Sequence, residues 1–370
     1  MRSLNDQGMV HHRNFQRGDA MTGRVRRHLG ETRGLAGPHA RKSVSLALQG
    51  GGAHGAFTWG VLDALLEDGR LAVEAITGAS AGAMNAVVMV EGWLGGGIDG
   101  ARSQLETFWR RASFDGSLTP AQRSLLSQML GFWSIQAWTD AIAQRFSPSE
   151  MNPLDINPLR DAVDALIDFD RVRACNGVEI FISATNVWTG KVAIFKREEL
   201  TADHLMASAC LPTVFQAVEI DGVPYWDGGY MGNPALFPLF HETTTDDILL
   251  VQINPLERRQ TPRTVSEIHD RLNEITFNGN LLRELRAVAF VKRLIAEGKL
   301  SPDEYKNVHM HRIDASGELD DYEAASKRKA EWDLFVQLRD AGRRAAQSWL
   351  AAHYGAIGVR GTLDVESALQ

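Results

Sequence analysis

The sequence predicts an α/β protein with a mainly parallel central sheet. An alternating apolar run at residues 43–48 precedes a glycine-rich turn, and apolar residues then recur at helical spacing over residues 57–65. A second unit of the same kind follows, with an apolar run at residues 74–77, a turn that contains Ser80, and a small-residue helix. This β-α-β-α beginning implies parallel strands joined by right-handed crossovers.

Later segments continue the alternation. Asp221-Gly222 between two short β-like runs is a strong signal for a hairpin, and Asn157-Pro158 is a good helix start. Gly95, Gly96 and Gly97 predict a loop. Further strands are expected at residues 178–185, 191–195, 248–253 and 308–313, and helices at 100–145, 159–167, 265–299 and 318–353.

Bulk composition limits the classes of function. The 370 residues are enough for a large core. No run of about 18 apolar residues occurs, so we expect no transmembrane helix. The only cysteines are Cys175 and Cys210, which favours a reducing, cytoplasmic compartment over a disulfide framework or a cysteine metal site. Neither a metal nor a cofactor is expected.

Charge is unevenly distributed along the chain. Residues 1–42 hold nine basic and three acidic residues, whereas the rest holds 30 and 43. We expect residues 1–40 to be a flexible basic extension; the alternative is a basic arm that touches anionic lipid or nucleic acid. The acidic body argues against general nucleic-acid binding. The pair His11-His12 lacks carboxylate or cysteine partners and is interpreted as a surface pair.

Ser80 is the candidate nucleophile. It lies in Gly-Ala-Ser-Ala-Gly at residues 78–82, between a predicted strand and a predicted helix. This is the pattern of a nucleophile elbow, in which Gly78 and Gly82 keep the turn uncrowded. The helix N-terminus there favours developing negative charge.

The earlier turn, Gly-Gly-Gly-Ala-His-Gly at residues 50–55, is the candidate oxyanion hole. Its amides can be preorganised toward the oxygen of a tetrahedral intermediate because glycine lets the backbone approach the substrate. The candidate donors are the amides of Gly50, Gly51, Gly52 and Ala53, with Gly55 supporting the turn.

Two kinds of residue are candidates for the base that takes the serine proton. Asp227 follows the predicted hairpin, and Gly228 and Gly229 allow a tight turn that presents its carboxylate; the alternative is an aspartate that merely starts the turn. A histidine of a Ser-Asp-His triad is the other candidate base, and chain order admits His241, His269, His309, His311 and His353. We expect an aspartate base to give no inflection in the pH–rate profile between about pH 5 and 8.

Together these blocks resemble the patatin-like phospholipases. The glycine turn at 50–55, the Ser80 turn at 78–82 and Asp-Gly-Gly at 227–229 occur in the family's order, and residues 207–215 (ASACLPTVF) form a fourth matching block. The likeness runs from about residue 44 to residue 233. One departure is His54, because the family often has Arg or Lys there, and a neutral imidazole weakens any cationic role of this position.

The resemblance implies a three-layer α/β/α sandwich and a Ser80–Asp227 dyad that works without histidine. It further implies that Gly51 and Gly52 are the main oxyanion donors and that the substrates are ester-linked acyl lipids. The family includes calcium-independent enzymes, and the sequence contains no acidic loop typical of calcium binding. A peripheral membrane contact is left open. On this basis the catalytic domain spans residues 41–260, with a helical insertion at about 98–170, and residues 261–370 form a helical elaboration packed on it.

Several alternatives remain open. The insertion, rich in Trp and Leu, is either ordinary core or a lipid-facing wall over the site. Gly50, Gly52 and Gly55 also fit a dinucleotide fingerprint, with Glu74 as the ribose ligand of an NAD-dependent oxidoreductase. A Ser-His-Asp esterase and a catalytically silent lipid-binding scaffold are the other two.

Overall fold

A single mixed sheet organises the parts of the chain that the computed structural model describes, residues 34–113, 115, 157–315 and 330–369. Its strands are β1 (Leu35–Ala36), β2 (Lys42–Leu48), β3 (Leu71–Gly78), β4 (Glu179–Asn186), β5 (Val192–Lys196), β6 (Val218–Ile220), β7 (Val223–Asp227), β8 (Asp247–Gln252) and β9 (His309–Asp314).

The strand order is β6-β7-β4-β3-β2-β8-β9, with β1 paired to β3 and β5 paired to β4. Within the series β4-β3-β2-β8-β9, each strand is parallel to the next. The pairs that involve β1, β5, β6 and β7 are antiparallel. This arrangement confirms the predicted α/β class with a mainly parallel centre. The hairpin predicted around Asp221-Gly222 is also confirmed, as β6 and β7.

Helices flank this sheet. They are α1 (Gly55–Asp68), α2 (Ala81–Ala112), α3 (Pro158–Leu166), α4 (Phe169–Ala174), α5 (Ala202–Ser208), α6 (Phe237–Glu242), α7 (Val265–Ala296) and α8 (Trp332–His353). The Asn157 side chain accepts from the Leu159 amide at the start of α3, as its sequence predicts. Gly95 to Gly97 do not form a separate loop; instead α2 is kinked by non-helical backbone angles at Gly96 and Gly97.

Apolar side chains alternate between the two faces of the central strands. In β8, Leu249 and Val251 join a core that includes α1, α2 and α8, whereas Ile248 and Leu250 join a core that includes α6 and α7. Because consecutive strand residues point to opposite faces, the sheet is covered on both sides. The result is the three-layer α/β/α architecture.

The segment beyond residue 260 contributes to this same sheet. Strand β9 pairs in parallel with β8, with His309 opposite Asp247, and α8 packs along α1. Several predictions lie outside the described residues: the extension up to residue 33, the insertion at residue 114 and residues 116–156, and the first part of the helix expected from residue 318.

Candidate active site

Ser80 occupies a strained turn between β3 and α2. Its backbone angles are φ 51° and ψ −123°, a left-handed conformation that non-glycine residues adopt only when their surroundings hold them there. A Cβ atom at Gly82 would lie 2.2 Å from the Leu48 carbonyl oxygen. The turn therefore needs glycine at this position, and the Ser80 side chain is held at the end of β3 and the beginning of α2.

Strand β4 brings Asp227 to this turn. Ile182 of β4 pairs with Gly78, the last residue of β3, and Ala184 pairs with Asp227, the last residue of β7. The two pairings lie on the same side of β4, since β5 pairs with both Ile182 and Ala184 on the other side. Thus β3 and β7 run toward each other along one side of β4, and their carboxyl ends meet.

The Asp227 carboxyl group is completely buried and has few hydrogen-bond donors. Oδ1 accepts the Gly229 amide at 2.7 Å, and the Ser80 hydroxyl also interacts with the carboxyl group. Within the described part of the chain, however, Oδ2 has no partner of standard hydrogen-bond geometry. The contact between Ser80 and Asp227 therefore lies outside standard hydrogen-bond geometry.

Burial dominates the electrostatics of this carboxyl group. It raises the pKa of Asp227 to about 7, and the Gly229 amide and the Ser80 hydroxyl only partly oppose this rise. Burial and the nearby Asp227 carboxylate likewise raise the pKa of Tyr230 to about 12. Asp227 can therefore gain or lose a proton near neutral pH, while the Tyr230 phenol keeps its proton.

The backbone of Asp227 is fixed more firmly than its side chain. Its amide donates to the Cys210 carbonyl at 2.8 Å, and its carbonyl accepts the Thr185 hydroxyl at 2.8 Å. A Cβ atom at Gly228 would lie 2.1 Å from the Ser183 carbonyl oxygen, so only glycine allows this approach to β4.

The glycine loop is held by side-chain amides. The Gly50 amide donates to Asn233 Oδ1 at 2.6 Å, and the Gly50 carbonyl accepts from Asn254 Nδ2 at 2.7 Å. Gln49 accepts the Ile253 and Asn254 amides at 2.9 Å each. The Gly50 amide thus has a side-chain acceptor in this structure, while its expected role as an oxyanion donor stays a prediction.

The remaining candidate donors are the amides of Gly51, Gly52 and Ala53. They stand at the beginning of a 3-10 turn (Gly52–His54) that leads into α1, where the first amides of a helical segment have no partner within it. Gly51 faces Ile253, which a Cβ atom at Gly51 would approach to 2.8 Å. Among the residues that the structure describes, none accepts a hydrogen bond from these three amides, and the loop lies beside a packed wall.

Sequence reasoning missed several residues that support the site. Ser208 accepts a hydrogen bond from the Ser80 amide at 2.9 Å. It lies in the matching block at residues 207–215, but its residue type alone did not indicate this role. Gln49, Asn233 and Asn254 had no distinctive signal, because an amide side chain is recognisable as a clamp only once its backbone partners are known. Tyr230, directly after the Asp-Gly-Gly turn, could have been found from its position alone.

The histidine candidates whose side chains the structure describes are not hydrogen-bonded at this site. His311 is buried and binds Asp247 at 2.8 Å and Thr362 at 3.0 Å; Asp247 begins β8 and His309 begins β9, at the edge opposite to the end of β3. His241 is exposed on α6, and His353 ends α8. Among the described residues, no histidine hydrogen-bonds to Ser80 or Asp227; for His269 the structure describes the backbone only.

The Glu74 carboxylate has a structural role in the sheet. Its carboxylate accepts the Thr244 amide at 2.6 Å, the Thr245 amide at 2.9 Å and the Thr244 hydroxyl at 3.1 Å. These bonds tie the middle of β3 to the segment before β8. The carboxylate therefore supports the sheet and does not face the glycine loop as a ribose ligand would.

A cavity of about 500 Å³ lies beside the glycine loop and is lined by His54, Ile253, Asn254 and three arginines. Each arginine pairs with a carboxylate: Arg258 with Glu274 at 2.8 Å, Arg259 with Glu257 at 2.9 Å and Arg312 with Asp314 at 2.8 Å. His54 itself is buried, at 2% exposure. In the described ranges, no group of three or more His, Cys, Asp or Glu side chains is arranged to hold a metal ion.

A family model for patatin-like phospholipases matches residues 46–240, which is just over half of the chain and contains all three glycine turns. The chain belongs to the patatin-like phospholipase family. Membership supports a lipid acyl hydrolase at the level of the family. Curated protein sequences give no significant match.

Solved structures of low sequence identity resemble this patatin-like protein. VipD from Legionella pneumophila is 16% identical with a TM-score of 0.36, and the match covers 82% of this chain and 68% of VipD. A chain of the SpcU–ExoU complex of the type III secretion system of Pseudomonas aeruginosa is 14% identical with a TM-score of 0.30, covering 87% of this chain and 60% of that one.

Each helix in the described part of the chain is either too short or too polar to cross a bilayer.

Proposed function

We propose that this protein is a serine hydrolase that cleaves acyl esters of lipids, of the phospholipase A or lipid acyl hydrolase type, through a Ser80–Asp227 dyad. The observation that carries the proposal is the meeting of Ser80 with a buried carboxyl group whose pKa is raised to about 7. A serine hydroxyl is a weak nucleophile until a neighbouring group takes its proton. Asp227 is the titratable group in contact with it.

The first half of the reaction acylates Ser80. As Ser80 Oγ attacks the ester carbonyl carbon, Asp227 Oδ2 takes the hydroxyl proton. The carbonyl oxygen becomes an oxyanion and accepts hydrogen bonds from the Gly51 and Gly52 amides. Each such donor contributes about 3 kcal/mol of transition-state stabilisation. The intermediate then collapses, and Asp227 returns the proton to the departing alkoxide, which leaves as an alcohol.

The second half releases the acid. Water attacks the acyl-enzyme carbonyl while Asp227 accepts one of its protons, and the same amides hold the second oxyanion. Collapse expels Ser80 Oγ, which regains its proton from Asp227. The sum is ester plus water giving carboxylic acid plus alcohol, with the enzyme unchanged.

The raised pKa suits Asp227 to this role. A carboxylate with an ordinary pKa of about 3.9 is a poor base for a serine proton, whereas efficiency rises as the pKa of the base approaches the working pH. At neutral pH a substantial fraction of Asp227 remains ionised and ready to accept a proton. Burial of the carboxyl group therefore raises the strength of the base without removing its active form.

Wild-type protein and Ser80→Ala should be compared on acyl esters of increasing chain length. We expect hydrolysis by the wild type and a loss of about a thousand-fold or more in kcat for the variant, because nucleophile and base act as a unit. An organophosphonate should label wild-type Ser80. Retained turnover in Ser80→Ala would contradict the proposal, and folded wild-type protein that neither reacts with the phosphonate nor hydrolyses esters would favour the scaffold alternative.

A further inference from the structure

A buried serine hydroxyl lies behind the nucleophile. Ser208 is the last residue of α5 and has no exposed surface. Its Oγ accepts the Ser80 backbone amide at 2.9 Å and donates its proton to the Ser183 carbonyl at 2.7 Å. Both distances are those of well-formed hydrogen bonds. The hydroxyl thus relays a hydrogen bond from the nucleophile's own peptide group to strand β4.

The residue at the far end of this relay belongs to the strand that places the proposed base. Ser183 precedes Ala184, which pairs with Asp227, and its carbonyl also faces Gly228 in the turn after Asp227. The Ser183 hydroxyl donates to the Gly232 carbonyl at 2.7 Å. The Ser183 carbonyl therefore accepts the relay from Ser80 and also lies against the turn that follows Asp227.

Ser80 needs such support because its left-handed backbone is unfavourable for a residue with a side chain. Rotation of the peptide before Ser80 would relax the strain and swing Oγ away from Asp227. The bond from the Ser80 amide to Ser208 opposes this rotation. It also occupies that amide, so that the proposed oxyanion donors remain those of the glycine loop.

We propose that Ser208 is a positioning residue for the reaction: its hydroxyl couples the backbone of Ser80 to β4 and so fixes the distance between the nucleophile and Asp227. This inference rests on the proposed function. Ser208 does not touch the substrate or the reacting atoms. Its effect should therefore appear in the rate of the chemical steps and not in substrate binding.

The test compares Ser208→Ala with Ser45→Ala. Ser45 is an equally buried serine, in β2, whose hydroxyl has no hydrogen-bond partner among the described residues, so Ser45→Ala controls for deleting a buried hydroxyl. Active sites are counted by exhaustive phosphonate labelling, and kcat is expressed per labelled site. We expect kcat per site to fall by about 10- to 100-fold in Ser208→Ala, as small misplacements of reacting groups do, with KM within about twofold of wild type. Ser45→Ala should keep the wild-type kcat per site.

A merely structural role gives a different result, namely fewer labelled sites with an unchanged kcat per site, and that result would overturn the proposal. A raised KM with unchanged kcat would also overturn it. If Ser208→Ala yields no folded protein, Ser208→Cys serves instead, since it keeps the shape and a weak donor. We expect its kcat per site to lie below that of the wild type, and equality with the wild type would refute the positioning role.

Failure of the proposed function would be distinct from failure of this inference. If wild-type Ser80 is not labelled, or if Ser80→Ala keeps its activity, the hydrolase proposal itself is wrong. If the wild type is labelled and active while Ser208→Ala matches it per site, only the role of Ser208 is wrong.

Discussion

Two buried aspartates in this sheet have pKa values shifted in opposite directions. Asp227, at the end of β7, accepts one backbone amide and touches the Ser80 hydroxyl, and burial raises its pKa to about 7. Asp247, at the start of β8, is nearly as buried, and burial alone would raise its pKa too. Hydrogen bonds from His311 at 2.8 Å and from the Gly358 amide at 3.0 Å instead keep the pKa of Asp247 below its ordinary value.

The two carboxyl groups differ in the balance between burial and hydrogen bonding: burial outweighs the hydrogen bonds at Asp227, whereas hydrogen bonds and nearby histidines outweigh burial at Asp247. Asp247 has donors for its charge and serves to join β8, β9 and the segment near residue 358. Asp227 has too few donors for its charge, so its ionised form is destabilised and becomes a better base. Sites of this kind trade stability for chemistry.

The largest expected effect distinguishes the two residues by activity. Asp227→Asn should lower kcat by about a thousand-fold or more, because an amide cannot take the serine proton and the two groups act as a unit. Asp247→Asn should keep kcat within about threefold, since it lies at the opposite edge of the sheet. Steady-state hydrolysis of a short acyl ester by both variants measures this, and comparable losses in the two would remove the distinction.

The second effect is on stability, with opposite signs for the two residues. Folded Asp227 binds its proton more tightly than the unfolded chain does, so its contribution to the free energy of unfolding falls as pH rises from about 4 to about 7. At pH 8, Asp227→Asn should therefore stabilise the protein by up to about 4 kcal/mol, from about three pKa units at 1.36 kcal/mol each.

Asp247→Asn should instead destabilise the protein by about 1–2 kcal/mol near neutral pH, through weaker hydrogen bonds to His311 and Gly358. The contribution of Asp247 is present above the unfolded pKa of about 4 and is lost as pH falls through its lower folded value. Urea denaturation of wild type and both variants at pH 5 and pH 8 tests the pair. Equal signs at pH 8 would show that the two environments do not differ as described.

The smallest effect is a slope in the pH–rate profile. Since Asp227 must be ionised to act as base, kcat/KM should rise about tenfold per pH unit below about pH 7 and level off above it. This replaces the expectation of a flat profile between pH 5 and 8, because burial moves the aspartate's titration into the range usual for histidine. The midpoint alone therefore cannot identify the base.

Histidine variants distinguish an aspartate base from a histidine base. Replacing His241, His269 or His353 singly by Ala should leave both the slope and the midpoint in place, and His311→Gln should do so in the folded fraction. Loss of the inflection in any one of them, with the protein folded, would point to an imidazole base and revive the Ser-His-Asp alternative.

Much of the local structure was predictable from the sequence. Alternation gave β2, the Asp221-Gly222 pair gave the β6–β7 hairpin, and Asn157-Pro158 gave the start of α3, because each of these signals depends on backbone preferences of neighbouring residues. Small residues around Ser80 likewise indicated a sharp strand-to-helix turn that has no room for larger side chains. The family likeness of the three glycine turns needed no coordinates either.

Only the tertiary structure decided which of these strands, turns and loops contact one another. That β7 meets β3 end to end along β4, that Asn233 occupies the Gly50 amide, and that Ser208 holds Ser80 all depend on contacts between residues far apart in the chain. The pKa of Asp227 also depends on tertiary structure, because the assembled fold excludes water from the carboxyl group and leaves few hydrogen-bond donors beside it. Local sequence specifies which backbone shapes are allowed, whereas solvent exclusion and partner choice arise when distant segments pack.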